Sequence, residues 1–182
     1  MVCKDMPRIL VKGASGAGKT TLARALARQL GVPHVELDAL HHGPRWKAAS
    51  AEELQARLSQ VLDDARGWVV DGNYDRKLGS SLIDRAELIV WLDLPLRTKL
   101  RRVVQRTLRR WWRQEALWNG NREHLCAAFI GCEALVPLTV SSHYLHRRAW
   151  PRRFHGREVT RLHSPDEVAQ WLARFEPARK TG

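Results

Sequence analysis

The chain has 182 residues, 44% of them hydrophobic and 27% charged, which supports a packed core and excludes a disordered or low-complexity polypeptide. Thirty-one Lys and Arg against 19 Asp and Glu give a net charge of +12 and favour polyanionic partners: nucleotides, phosphorylated metabolites or nucleic acid. Three scattered cysteines make no disulfide framework, and no apolar run reaches the roughly 20 residues of a membrane helix, so a soluble, cytoplasmic protein is expected.

Neither a repeat nor a Gly/Ser-rich linker divides the chain, so one domain is expected over 1–182. "RILVKG" (8–13) reads as a buried strand. "GKTTLARALARQL" (18–30) follows as a helix with Leu22, Ala25, Leu26 and Leu30 on one face, stopped by Gly31. "PHVELDAL" (33–40) reads as a second strand, and "SAEELQARLSQVLDDA" (50–65) as a helix opened by a serine cap. "GWVVDG" (67–72) and "AELIVWLDLP" (86–95) are the third and fourth strands, with a basic helix from about Pro95 to Trp112. The region 113–156 reads as helical, "REVTRL" (157–162) as a fifth strand, and Ser164-Pro165-Asp166 opens a last helix through Phe175. Strands that are apolar throughout belong to a parallel sheet covered on both faces, so the class is α/β.

Between the first strand and its helix lies "GASGAGKTT". Residues Gly13, Ala14, Ser15, Gly16, Ala17, Gly18, Lys19 and Thr20 fit G-x-x-x-x-G-K-[ST], the phosphate-binding pattern, and Thr21 continues the helix. Glycines let the backbone curl so that its N–H groups point at phosphate oxygens, and the helix start adds unpaired donors and a positive dipole end. Lys19 can reach the β- and γ-phosphates of ATP, and the Thr20 hydroxyl can ligate Mg²⁺. The glycines at 13, 16 and 18 do not make the dinucleotide pattern G-x-G-x-x-G.

Two strand-end aspartates, Asp71 and Asp93, could support the metal; Asp71 is preferred, Asp93 being also placed to cap the next helix. The residue after Asp71 is Gly72, not the water-activating glutamate of many hydrolysing NTPases, and it is expected to leave room for a second ligand. No N-K-x-D guanine-reading motif occurs. Asp38 is a third carboxylate at a strand end, placed to take or orient an acceptor proton or else to stabilise a turn. His41, His42, Arg45 and Trp46 follow, as an acceptor pocket or a surface loop.

"RTKLRRVVQRTLRRWWR" (97–113) has no acid. Helical spacing puts Arg102, Arg106, Arg109 and Arg113 on one face and Leu100, Val103, Val104, Leu108 and Trp111 on the other. Such a helix can serve as a lid that brings guanidiniums to a transferring phosphoryl and excludes water. It can equally track a nucleic-acid backbone, with Trp111, Trp112 and Trp118 as stacking platforms. His124, Cys126 and Cys132 lack the spacing of a zinc site.

With these motifs in place, the chain resembles a P-loop kinase of the adenylate-kinase and shikimate-kinase type, and more narrowly the bacterial adenylate-kinase-like proteins labelled DNA-topology modulation. "GASGAGKTT", "ELDALHHGPRW", "WVVDGNY", "IVWLDLP", "RRVVQRTLRR", "LWNGNRE" and "VTRLHSPDEVAQWL" carry the resemblance. It implies a three-layer α/β/α fold with a five-stranded parallel sheet of order 2-3-1-4-5 and an arginine-rich lid within about 95–156. It also implies phosphate-contacting roles for Arg102, Arg106 and Arg109, and an adenine site near His163 to Asp166. Adenylate kinases carry D-G-x-P-R where this chain has Asp71-Gly72-Asn73-Tyr74-Asp75-Arg76, which argues against AMP as the acceptor.

The expectation is an ATP- and Mg²⁺-dependent phosphotransferase acting on a small molecule. Its catalytic groups are Lys19, Asp38, Arg102, Arg106 and Arg109; Thr20 and Asp71 attend the metal. Asp38, Arg45, Trp46, Gly72 and Arg76 attend the acceptor. A nucleotide-regulated nucleic-acid binder, using the basic helix and residues 147–153, and a simple ATPase are the alternatives.

Overall fold

Short apolar strands that alternate with longer amphipathic segments can pair in parallel only if each segment crosses back over the sheet. The computed structural model, which describes residues 7–113 and 135–175, has this arrangement. Its strands are β1 (Arg8–Gly13), β2 (His34–Glu36), β3 (Trp68–Asp71), β4 (Leu88–Leu92) and β5 (Val159–Leu162). They form one parallel sheet in the order β2-β3-β1-β4-β5, the expected 2-3-1-4-5, with β1 between β3 and β4. The helices are α1 (Lys19–Leu30), α2 (Leu37–His41), α3 (Ala51–Val61), α4 (Asp75–Leu78), α5 (Ser81–Arg85), α6 (Leu96–Arg113), α7 (Leu135–Arg153) and α8 (Pro165–Leu172).

Side chains alternate across each strand, so the sheet feeds two cores. Leu10, Trp68, Val70, Ile89 and Trp91 pack on one face with residues of α3, α5 and α7. Ile9, Val11, Val69, Val90 and Leu92 pack on the other with α1 and α8. Trp150 of α7 lies edge-on to Trp91 at 5.5 Å and beside Phe154 at 5.4 Å, which seats the second long helix on the first core. Local signals agree with the tertiary frame: Ser50 and Glu53 close a capping box on α3, and Ser164 caps α8 with Pro165 in its first turn.

Two sequence expectations need correction. The second strand does not run through 33–40; it stops at Glu36, and Leu37–His41 is a helix. The reason is pairing: β2 is an edge strand whose partner β3 ends at Asp71, opposite Glu36. Beyond that point no ladder remains, and Leu-Asp-Ala-Leu is free to coil. The docked face of α6 also differs. Its buried row is Lys99, Val103 and Thr107, while Leu108 and Trp111 are largely exposed. Gly16 of the first loop packs against the Lys99 backbone and Val103, so the helix turns that row inward and leaves the apolar residues of its last turns outside.

Candidate nucleotide and acceptor site

The C-terminal edge of the sheet gathers the sequence-derived residues. β1 ends at Gly13 and the chain turns through 14–18, with Ala17 N–H donating to the Ala14 carbonyl at 3.1 Å. Gly16 and Gly18 have φ of +75° and +95°, a region that favours glycine. Gly18 starts α1 and no side chain caps it. A helix start left without a cap offers its first N–H groups to an anion, and Lys19 stands in the first turn. The loop therefore has the shape and donors to cradle phosphates.

Thr20 and Asp71 meet. The Thr20 hydroxyl donates to Asp71 Oδ2 at 2.6 Å, and Asp71 is buried. His34 Nε2 lies 2.8 Å from the other oxygen, Asp71 Oδ1, and fixes the carboxylate's orientation. Glu36, next to Asp71 across the β2–β3 ladder, also accepts from Thr20, at 3.3 Å. Sequence reading missed both His34 and Glu36. Their signal was present, since they alternate with Val35 in a strand that ends at the ligand edge.

Asp93 is differently engaged. Its Oδ2 accepts from Arg147 Nε at 3.0 Å and from Arg161 Nη2 at 2.6 Å, with His163 Nδ1 at 3.8 Å. It ties β4, α7 and β5 together, and it is not placed on Thr20.

Asp38 sits in the first turn of α2 and accepts a hydrogen bond from Tyr74 Oη at 2.7 Å. The stretch after Asp71 is pinned on both sides. Asn73 Nδ2 donates to the Gly13 carbonyl at 2.7 Å, and Asp75 pairs with the fully buried Lys12 at 2.6 Å. At Gly72 a side chain would run into Leu37, so glycine permits close packing of strand end on helix. Arg76 is exposed. Arg45 and Trp46 lie in a short turn (Pro44–Trp46), exposed, with φ of 55° and 57°; Trp46 stacks edge-on against His42 at 5.3 Å.

Of the three candidate lid arginines, Arg102 reaches the loop, with Nη1 donating to the Ala17 carbonyl at 3.2 Å. Arg106 is half-buried and Arg109 exposed on the same helix. Arg97, Thr98, Arg101, Arg102 and Gln105 line a cavity of about 690 Å³. The expected His124–Cys126–Cys132 group, and Trp118, lie outside the described residues.

α7 carries two imidazoles inward, the buried His143 and the half-buried His146. His143 Nδ1 lies 2.6 Å from Lys99 Nζ, and burial lowers the Lys99 pKa to about 8. His146 stacks on Trp150 at 3.8 Å, and burial, with Lys19 adding to it, pushes its pKa down to about 4. His41, His42 and His143 are also lowered, each chiefly by burial. A histidine lowered in the folded state favours folding above its unfolded pKa and loses that contribution as pH falls through the folded value. Stability is therefore expected to drop as pH falls from about 6.5 toward 4. Denaturant midpoints at several pH values check it, and His146→Phe, which keeps the stacking, should flatten the profile.

Fold and site together define a P-loop NTPase fold of the kinase-like kind. A family model described as "ATPase family associated with various cellular activities (AAA)" matches residues 9–93, from β1 to the end of β4, less than half of the chain. Solved structures resemble the chain along nearly its full length. A shikimate kinase from Acinetobacter baumannii in complex with shikimate is 15% identical, covering 93% of this chain and 90% of that one, with a TM-score of 0.58. A shikimate kinase from Bacteroides thetaiotaomicron is 17% identical, covering 93% and 95%, with a TM-score of 0.54. A gluconokinase from Sinorhizobium meliloti 1021 is 20% identical, covering 95% of each chain, with a TM-score of 0.52. Among curated proteins, none matches.

Proposed function

We propose that the chain is a small-molecule kinase that moves the γ-phosphoryl of ATP to a hydroxyl or phosphate oxygen of an acceptor. The observation that carries it is the pair of separate carboxylates on one sheet edge. Asp71 sits on the Thr20 hydroxyl at the phosphate loop, and Asp38 sits apart on α2, held by Tyr74. One fits the nucleotide side of a transfer, the other the acceptor side.

In the reaction the acceptor oxygen attacks the γ-phosphorus, the bond from that phosphorus to the β-bridging oxygen breaks, and ADP leaves. Asp38 takes the acceptor proton. Lys19, the loop N–H groups and Arg102 hold the phosphates, and Arg106 and Arg109 join them when α6 closes over the nucleotide. Thr20 and Asp71 offer hard oxygens that fit Mg²⁺, which when bound would neutralise charge on the phosphate oxygens. Arg45, Trp46 and Arg76 stand at the rim where an acceptor would enter, and a cytoplasmic location goes with ATP as donor. No described helix is long and apolar enough to cross a membrane.

The test is an acceptor screen with γ-labelled ATP: nucleoside monophosphates, sugar acids, hydroxy acids and simple alcohols, beside a no-acceptor control. Transfer to one class is expected, with Asp38→Asn lowering kcat by about 10²-fold or more while ATP binding persists. Label released to water alone, at the same rate with every acceptor, would instead make the protein an ATPase.

A second reading rests on the outer ridge of α6. Arg97, Arg101, Gln105, Arg109 and Arg113 recur every fourth residue and are exposed, and Trp112 is 81% exposed. A single strand of nucleic acid would meet cations and a stacking surface there. Steeply salt-dependent binding of a DNA oligonucleotide, abolished by Arg97→Ala with Arg101→Ala, would support it.

A further inference from the structure

We infer that Tyr74 is a positioning residue for phosphoryl transfer: its hydroxyl holds one oxygen of Asp38 and leaves the other for the acceptor. The inference rests on the kinase reading above and adds the residue that aims its base. Asp38 Oδ1 accepts from Tyr74 Oη at 2.7 Å, and among the described residues Oδ2 has no hydrogen-bond donor. A carboxylate free to rotate would present either oxygen in many directions. One fixed by a short bond from a packed phenol presents a single lone-pair direction, which is what transfer geometry requires.

The phenol is itself held. Its ring packs at 4.6 Å on the His41 ring and joins the core beneath α3. Its backbone belongs to the stretch in which Asp71 meets Thr20, Asn73 holds the Gly13 carbonyl and Asp75 pairs with Lys12. One short loop thus touches the phosphate side through three residues and the acceptor side through Tyr74. A shift of the phosphate loop is passed to Asp38 through a few bonds, which couples the two halves of the reaction. Burial, then the charge of Asp38 and of Glu36, pushes the Tyr74 pKa well above the ordinary phenol value, so the group remains a donor wherever the enzyme works.

Other titratable groups share this neighbourhood: His41 and His42 on α2, Glu36 on β2 and Lys77 on α4, with Arg57 of α3 acting on His41. They are the same in wild type and in a Tyr74 variant, so a difference between the two proteins isolates the phenol.

Tyr74→Phe keeps the ring and removes the hydroxyl. It is expected to lower kcat by about 10- to 100-fold with KM for ATP unchanged. A second readout needs no acceptor. The chain has two tyrosines, and Tyr144 is 59% exposed, so Tyr144→Phe leaves Tyr74 as the only phenol. Its phenolate absorbance should rise only at pH well above that of an exposed tyrosine, and Asp38→Asn should bring the rise to lower pH. An active enzyme whose Tyr74→Phe variant keeps kcat would overturn the inference alone. So would a Tyr74 that ionises like an exposed phenol and ignores Asp38→Asn. A wild type that phosphorylates no acceptor would instead remove the kinase reading on which the inference stands.

Discussion

Lys19→Ala is expected to lower phosphoryl transfer by on the order of 10²–10³ without unfolding the protein. Lys19 begins α1 at the phosphate loop, and no described residue makes a hydrogen bond or ion pair with its ammonium. Its removal therefore breaks nothing within the described fold. Under the proposed function, what disappears is a cation that would neutralise charge gathering on the β- and γ-phosphates. Lys12, seven residues earlier, is the contrasting control. It is fully buried and paired with Asp75 at 2.6 Å, so Lys12→Ala breaks that pair, leaves Asp75 with the longer Arg153 contact at 3.9 Å, and should cost about 3 kcal/mol of stability. Steady-state kinetics with denaturant titration of both variants checks the pair: lost turnover at native stability for one, lost stability for the other. A Lys19→Ala protein that turns over normally would show that the loop does not hold the transferring phosphate.

The second large effect is steric. Gly16→Ala should weaken both the fold and nucleotide binding, because Gly16 combines a positive φ of 75° with a seat against the backbone of Lys99 and the side chain of Val103. An L-residue at that φ costs roughly 1–2 kcal/mol, and forcing a methyl into packed surroundings typically adds about 1–3 kcal/mol. The added methyl pushes the loop away from α6, and with it Arg102 away from the Ala17 carbonyl. Gly156 separates the two causes. Its φ is 76°, close to that of Gly16, but nothing lies within 4 Å of the side-chain position, so Gly156→Ala carries strain alone. Thermal melts and nucleotide titrations should rank Gly16→Ala well below Gly156→Ala; equal losses in both would mean that the loop does not lean on α6.

How far these features could be read in advance depends on the range of the interactions that set them. The phosphate loop was legible because its chemistry is local. A strand, three spaced glycines, a Lys-Thr pair and an amphipathic helix together leave little choice. The strand order came from the resemblance, and the structure has it. Asp38 was picked out as a carboxylate near the ligand edge, but its place on a helix was not legible: β2 ends at Glu36 only because β3 ends opposite it. The packing partner of Gly72 was not legible for a similar reason, since the side chain it makes room for belongs to Leu37, far away in sequence. The burial of Lys99 could not be anticipated from a row of arginines, because it depends on His143 of α7 and on the turn at Gly16. The partners of Asp93 also come from distant elements, α7 and β5, which is why Asp71 and Asp93 stood as rivals on strand ends alone.

The proposed function turns on where the γ-phosphoryl goes. The measurement that meets it directly is a single-turnover experiment with γ-labelled ATP, Mg²⁺ and the best acceptor from the screen, with the label divided between phosphorylated acceptor and inorganic phosphate. If the proposed function holds, most label joins the acceptor, and Asp38→Asn suppresses that product while ATP remains bound. Label appearing wholly as inorganic phosphate, unaffected by acceptor or by Asp38→Asn, would contradict it.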